Sequence, residues 1–148
     1  MDNFKKNFPD LYAELQYVIQ KKYIEHQTET AMIKFLLIAN GLMDAILVCF
    51  RLPNFKGTLL SKLELLRTFL DYNSERTPIL DEESIYEKLD YIRKKATESM
   101  DGIEPFKEDA YTCQNYLFDI ISWVSNQTSV EQVHSRRNND EFLTKMSS

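Results

Sequence analysis

The sequence predicts an all-helical protein, and its composition carries that prediction. The 148 residues include only three glycines and four prolines, fewer than strands joined by tight turns usually need. Hydrophobic residues make up 43% and charged residues 28% of the chain, which suits a packed core and argues against disorder. The length fits one domain. We therefore predict an antiparallel bundle of about five helices over residues 1–126, with a short, partly mobile tail over residues 127–148.

The first helix is predicted to begin near Pro9 and Asp10. Proline suits the first helical position, and an acidic side chain suits the positive end of the helix dipole. The polar stretch 26–30 contains no helix breaker, so two alternatives stay open. Either the helix ends there and Thr28 caps the next one, or the two helices are continuous. The apolar phase changes at this stretch, which favours the break.

The second helix is the most apolar segment of the chain, residues 31–50. Twenty residues are long enough to span a membrane, but Asp44 and Lys34 offset the apolar side chains on the insertion scale. At about 100° per residue, Asn40, Asp44 and Arg51 share one narrow polar stripe. That stripe disfavours a membrane span and predicts the central helix of a bundle. If Asp44 is enclosed, it needs a cationic partner such as Arg51, Lys34 or a group on another helix.

Three further helices follow. The third is predicted to be capped by Thr58 and to end near Asn73. The fourth begins after a cap at Asp81 and ends at Gly102, because glycine adopts the left-handed conformation that commonly ends a helix. The fifth covers about residues 105–126.

The predicted tail differs in composition from the rest of the chain. Residues 129–132 have the form of a capping box, so a short helix is possible after them. Arg136 and Arg137 lie in a polar run, and Phe142 belongs to a small apolar cluster. These features favour a segment that docks on a partner.

Catalytic and metal-binding motifs are missing from the sequence. The two histidines, His26 and His134, and the two cysteines, Cys49 and Cys113, fall in no spacing typical of a nucleophile–base pair or a zinc site. Residues 131–134 form one Glu-x-x-His motif, whereas a di-iron bundle needs two. Three glycines build no phosphate-binding loop. We therefore predict no catalytic residues, no metal and no cofactor.

The net charge of the chain indicates which partners are disfavoured, and its first residues indicate its location. The formal net charge is −5, which disfavours nucleic acid and anionic membranes, because both attract cationic proteins. The first residues lack the apolar core of a signal peptide. The expectation is a cytoplasmic protein whose partner is another protein.

The leading prediction is a non-enzymatic protein-interaction module of the adaptor, inhibitor, immunity or assembly-partner type. It would act through a helical face or groove. A homodimer is a natural corollary, since spare apolar helix surface is commonly closed by two-fold pairing. The candidate ligand or partner contacts are Asn40, Asp44, Arg51, His26, Arg136, Arg137 and Phe142.

Two alternatives stay open beside it. One is a small helical nuclease whose site is assembled from scattered polar side chains: Glu25, His26, Asp44 and Arg51. The other is a ligand-sensing bundle with a cavity near Asn40 and Asp44. Both need these residues to come together in space.

Overall fold

The chain is all-helical in the computed structural model, which describes residues 2–53, 56–73 and 80–126. Within those ranges there are seven helices and no strands. They are α1 (Asp2–Asn7), α2 (Pro9–Gln20), α3 (Tyr23–His26), α4 (Thr28–Cys49), α5 (Leu59–Asn73), α6 (Leu80–Met100) and α7 (Lys107–Ser125). The all-helical prediction is confirmed. The number differs from the predicted five because α1 was not foreseen and the first predicted helix divides into α2 and α3.

The predicted tail, residues 127–148, lies outside the described residues. The candidate contacts Arg136, Arg137 and Phe142 therefore stay predictions from the sequence.

Three helices are followed, two positions after their last residue, by a residue with left-handed backbone geometry. These residues are Lys22 with φ 53°, Arg51 with φ 55° and Gly102 with φ 93°. After α4, the Arg51 turn lets the Leu52 N–H donate to the Leu47 carbonyl at 2.8 Å, which satisfies a carbonyl of the last helical turn. The sequence indicated Gly102 but neither of the other two, because a lysine or arginine carries no sign of this conformation.

Hydrogen bonds at two helix starts test the predicted caps. The Ser61 N–H donates to Thr58 Oγ1 at 3.1 Å, so the predicted cap of α5 is confirmed. A break precedes α4, as favoured, but Thr28 does not cap it. Thr28 is the first residue of α4, and its hydroxyl donates to the Ile24 carbonyl at 2.7 Å. Gln27 takes the cap position and forms no capping side-chain bond.

Helix α4 is the core of the bundle. It packs against α2, α3, α5, α6 and α7, and side chains such as Phe35 and Ile46 are fully buried. Complete burial of one such side chain stabilises the fold by about 1.5–3 kcal/mol. The helix also has the length and mean hydropathy, 1.9, of a membrane span, and half of that apolar window is buried in the bundle. Length and hydropathy do not separate a span from a core helix. Packing against five other helices is what a core helix does.

The C-terminal ends of α4 and α7 meet at an aromatic cluster made of Phe50, Phe69 and Trp123. The Phe50 ring centroid lies 5.1 Å from that of Phe69 and 5.7 Å from that of Trp123. Tilted aromatic pairs at these distances add to the burial of the rings. The cluster fixes one end of the bundle and leaves the outer side of α4 open along its length.

Candidate functional site

The outward face of α4 keeps apolar side chains in solvent on a helix whose other faces form the core. It carries a line of side chains at helical spacing, which we call the α4 stripe: Ile33, Leu37, Asn40, Asp44 and Val48. Of these, Leu37 is 64% and Val48 61% exposed. At 1.5 Å per residue the stripe is about 22 Å long. The helix that forms the core therefore also keeps two large apolar side chains in solvent.

Helix α2 borders one side of the α4 stripe. At Gly41 a Cβ atom would lie 2.6 Å from Leu11 Cδ2. The missing side chain therefore lets the Leu11 side chain pack directly on the α4 backbone. Gly41 weakens α4 as a helix, and the close approach of α2 is the compensating gain.

Helix α5 borders the other side through a buried lysine. Lys62 is 4% exposed, and its ammonium nitrogen lies 2.6 Å from Asp44 Oδ1. The same nitrogen donates to Asn40 Oδ1 at 3.1 Å. Asp44 Oδ1 has no hydrogen-bond partner among the described residues, so its contact with Lys62 is chiefly an attraction between charges. Together these contacts hold the polar centre of the stripe in place.

Asp44 therefore faces a cation from another helix, one of the partners expected for it. The Asp44 side chain stays 40% exposed, so Lys62 is the deeply buried member of the pair. A sequence pattern indicates the burial of Lys62. It lies between Leu59 and Leu66 at the spacing of a buried helical line, and a lysine on such a line needs a partner.

The remaining described candidates are not brought to this centre. His26 is exposed and precedes α4, whereas Arg51 is exposed and follows it. From Thr28 to Asp44 the helix rises about 24 Å. A single active site built from His26, Asp44 and Arg51 does not span that length, so the nuclease alternative finds no assembled site here.

Both cysteine thiols are held in the protonated form. Burial raises the pKa of Cys113 to about 12, and burial also raises the pKa of Cys49. A thiol is a good nucleophile only as thiolate. Among the described residues, no three His, Cys, Asp or Glu side chains form a group able to hold a metal ion.

Comparisons with protein-family models, with curated protein sequences and with solved structures found no match.

Proposed function

We propose that this chain is a non-enzymatic protein-interaction module that binds its partner through the α4 stripe. The observation that carries the proposal is the exposure of Leu37 and Val48, at 64% and 61%, on a helix whose other faces form the core. Burial of the exposed parts of these two side chains stabilises a complex by about 1–2 kcal/mol each. Side chains near the centre of an interface commonly supply most of its binding energy.

The polar centre of the stripe suits the same role. Asn40, Asp44 and Lys62 lie between the two exposed apolar residues and are already held in one arrangement. A fixed polar group between apolar contacts sets the register of a partner and rejects those without a complementary group. The stripe is about four helical turns long, with α2 and α5 at its sides. It therefore fits an amphipathic helix of the partner.

The experiment is co-purification from the native host with a matched control. Leu37→Glu places a charge in the stripe, whereas Met100→Glu places one on a side chain of similar exposure, 52%, at the far end of α6. The proposal expects a protein that co-purifies with the wild type and with Met100→Glu and is lost with Leu37→Glu. Equal recovery by all three forms would contradict it.

A second copy of the chain is the partner that we propose first. Leu37 and Val48 lie at similar distances from Asn40 and Asp44, so the order along the stripe is apolar, polar, apolar in both directions. Two antiparallel stripes would therefore set Leu37 of one copy against Val48 of the other, as a two-fold interface requires. Sedimentation equilibrium should show a dimer that Leu37→Glu dissociates. A monomer at every concentration would remove the dimer and leave only a different protein as partner.

We also infer a cytoplasmic location. Both cysteines are free, which suits a reducing compartment.

We further infer that α6 and α7 pack in antiparallel directions. This inference is supported by ion pairs of 3.0 Å from Lys88 to Asp119 and of 3.5 Å from Lys95 to Asp109. Helix α7 ends at the same aromatic cluster as α4, so we infer that these two run the same way.

A further inference from the structure

A concave site lies at the opposite end of α4 from the aromatic cluster. A groove of about 530 Å³ separates the first turn of α4 from the segment that follows α6. Its lining includes Thr28, Glu29 and Thr30 on one side and Ser99 and Glu104 on the other. The volume falls within the usual range for small-molecule sites.

The first turn of α4 presents free hydrogen-bond donors to this groove. The first backbone bond of the helix runs from the Ala31 N–H to the Gln27 carbonyl at 3.0 Å. In the described part of the chain, no protein acceptor receives the N–H groups of Thr28, Glu29 and Thr30. Such groups carry the partial positive charge of a helix N-terminus and bind carboxylate oxygens.

Ser99 independently indicates a ligand at the same place. Its side chain is 3% exposed, and its hydroxyl has no hydrogen-bond partner among the described residues. Ser99 lines both the groove and a smaller adjoining cavity of about 60 Å³. A buried hydroxyl without a partner is unfavourable, and an acceptor bound in the groove would supply one.

The charges around the groove narrow the class of ligand. The lining residues include the acidic Glu29 and Glu104 as well as His26, so a simple anion meets two acidic residues there. A simple cation leaves the helix N–H groups and Ser99 without an acceptor. A ligand that carries both charges satisfies both sets of groups. Ile103 and Pro105 add an apolar wall.

We propose that this groove binds a small zwitterion, either a free amino acid or a short peptide. Its carboxylate accepts hydrogen bonds from the first N–H groups of α4 and from the Ser99 hydroxyl. Its ammonium group faces Glu29 and Glu104. The site shares no residue with the α4 stripe, so Leu37→Glu should leave it intact.

The test is an amide NMR titration of the full chain with each standard L-amino acid and a set of dipeptides at millimolar concentration. The proposal expects shifts at Thr28, Glu29 and Thr30 with one of the two classes, which identifies the source. Analogues of the best ligand that lack the amine or the carboxylate should bind at least about tenfold more weakly. No shifts with either class, or equal binding of an analogue, would overturn the proposal.

Two serine variants separate binding from folding. Ser99→Ala should weaken binding about tenfold while stability stays the same or rises, because the variant removes a buried hydroxyl that has no partner. Ser125→Ala is the matched control, since the Ser125 hydroxyl is also buried without a partner in the part of the chain that the structure describes but lies outside the groove. Full binding by Ser99→Ala would contradict the proposal.

Two variants that each remove a carboxylate charge test where the ammonium group of the ligand binds. Glu104→Gln should weaken the zwitterion and leave the analogue without an amine unaffected. Glu87→Gln, at an exposed position on α6, should change neither. Equal loss of both ligands in Glu104→Gln would show that Glu104 does not face an ammonium group.

Discussion

Among single residues, two lysines have conformations or environments that are unfavourable for a lysine. Lys22 has left-handed backbone geometry at the end of α2, and Lys62 has its ammonium group buried under α4. Neither was predicted. Composition does not indicate a left-handed φ at a non-glycine residue. The partner of Lys62 lies on a helix about twenty residues away in the sequence, so local patterns do not identify it.

Lys22→Gly should stabilise the fold by about 0.5–1 kcal/mol. Glycine adopts φ 53° without the steric cost that a Cβ imposes, and this gain exceeds the entropy that glycine adds to the unfolded chain. Lys21→Gly is the control, because Lys21 has ordinary helical geometry at φ −79° and should lose stability instead. Urea unfolding of both variants measures the difference. Destabilisation by Lys22→Gly would contradict the geometry described here.

Asp44→Ala should destabilise the fold by about 2–3 kcal/mol, because it leaves the buried Lys62 ammonium with Asn40 alone as polar partner. Lys62→Met removes that ammonium and fills its space, so the double variant should recover most of the loss. Urea unfolding of the two single variants and the double variant gives the free energies of unfolding for a double-mutant cycle. Additive losses would show that Asp44 and Lys62 do not act as a pair.

At the scale of elements, most helices could be predicted because each carries its own local signals. The apolar periodicity located α4, Thr58 capped α5, and Gly102 ended α6. The interruption between α2 and α3 could not be predicted, since it depends on the turn at Lys22. For the site, the sequence predicted Asn40, Asp44 and Arg51 on one stripe, and Arg51 lies beyond the end of α4. It missed the exposed Leu37 and Val48, because exposure depends on where α2 and α5 pack.

The contact between α5 and α6 makes stability depend on pH. Arg67 donates to both carboxylate oxygens of Glu83, with Nη1 to Oε2 at 2.7 Å, and these hydrogen bonds lower the pKa of Glu83. A lowered carboxyl pKa gives stability that is present above the unfolded value of about 4.5 and is lost as the pH falls. Glu83→Gln should therefore reduce the loss of stability between about pH 5 and pH 3.

Thermal unfolding across that pH range measures the effect. Glu87→Gln is the matched control, because Glu87 is exposed on the same helix and should leave the acid dependence unchanged. A Glu83→Gln variant with the full acid dependence of the wild type would show that the Arg67 contact does not stabilise the folded state.

At the scale of the whole molecule, one helix has two roles. The inner faces of α4 form the core against five other helices, while its outer face keeps Leu37 and Val48 in solvent. A substitution on the outer face should therefore change binding and leave folding intact, whereas Phe35→Ala on the inner face should cost about 3–5 kcal/mol. Urea unfolding of Leu37→Glu and Phe35→Ala compares the two faces directly.

Photo-crosslinking in the native host tests whether a protein binds at the α4 stripe. A benzophenone amino acid replaces Leu37 in the α4 stripe, and a second protein carries it at Met100, which is also exposed but lies at the end of α6. We expect a discrete cross-linked protein, or a cross-linked dimer, from position 37 and no product of the same mass from position 100. Identical products from both positions, or no product from position 37, would contradict a protein-binding role for the α4 stripe.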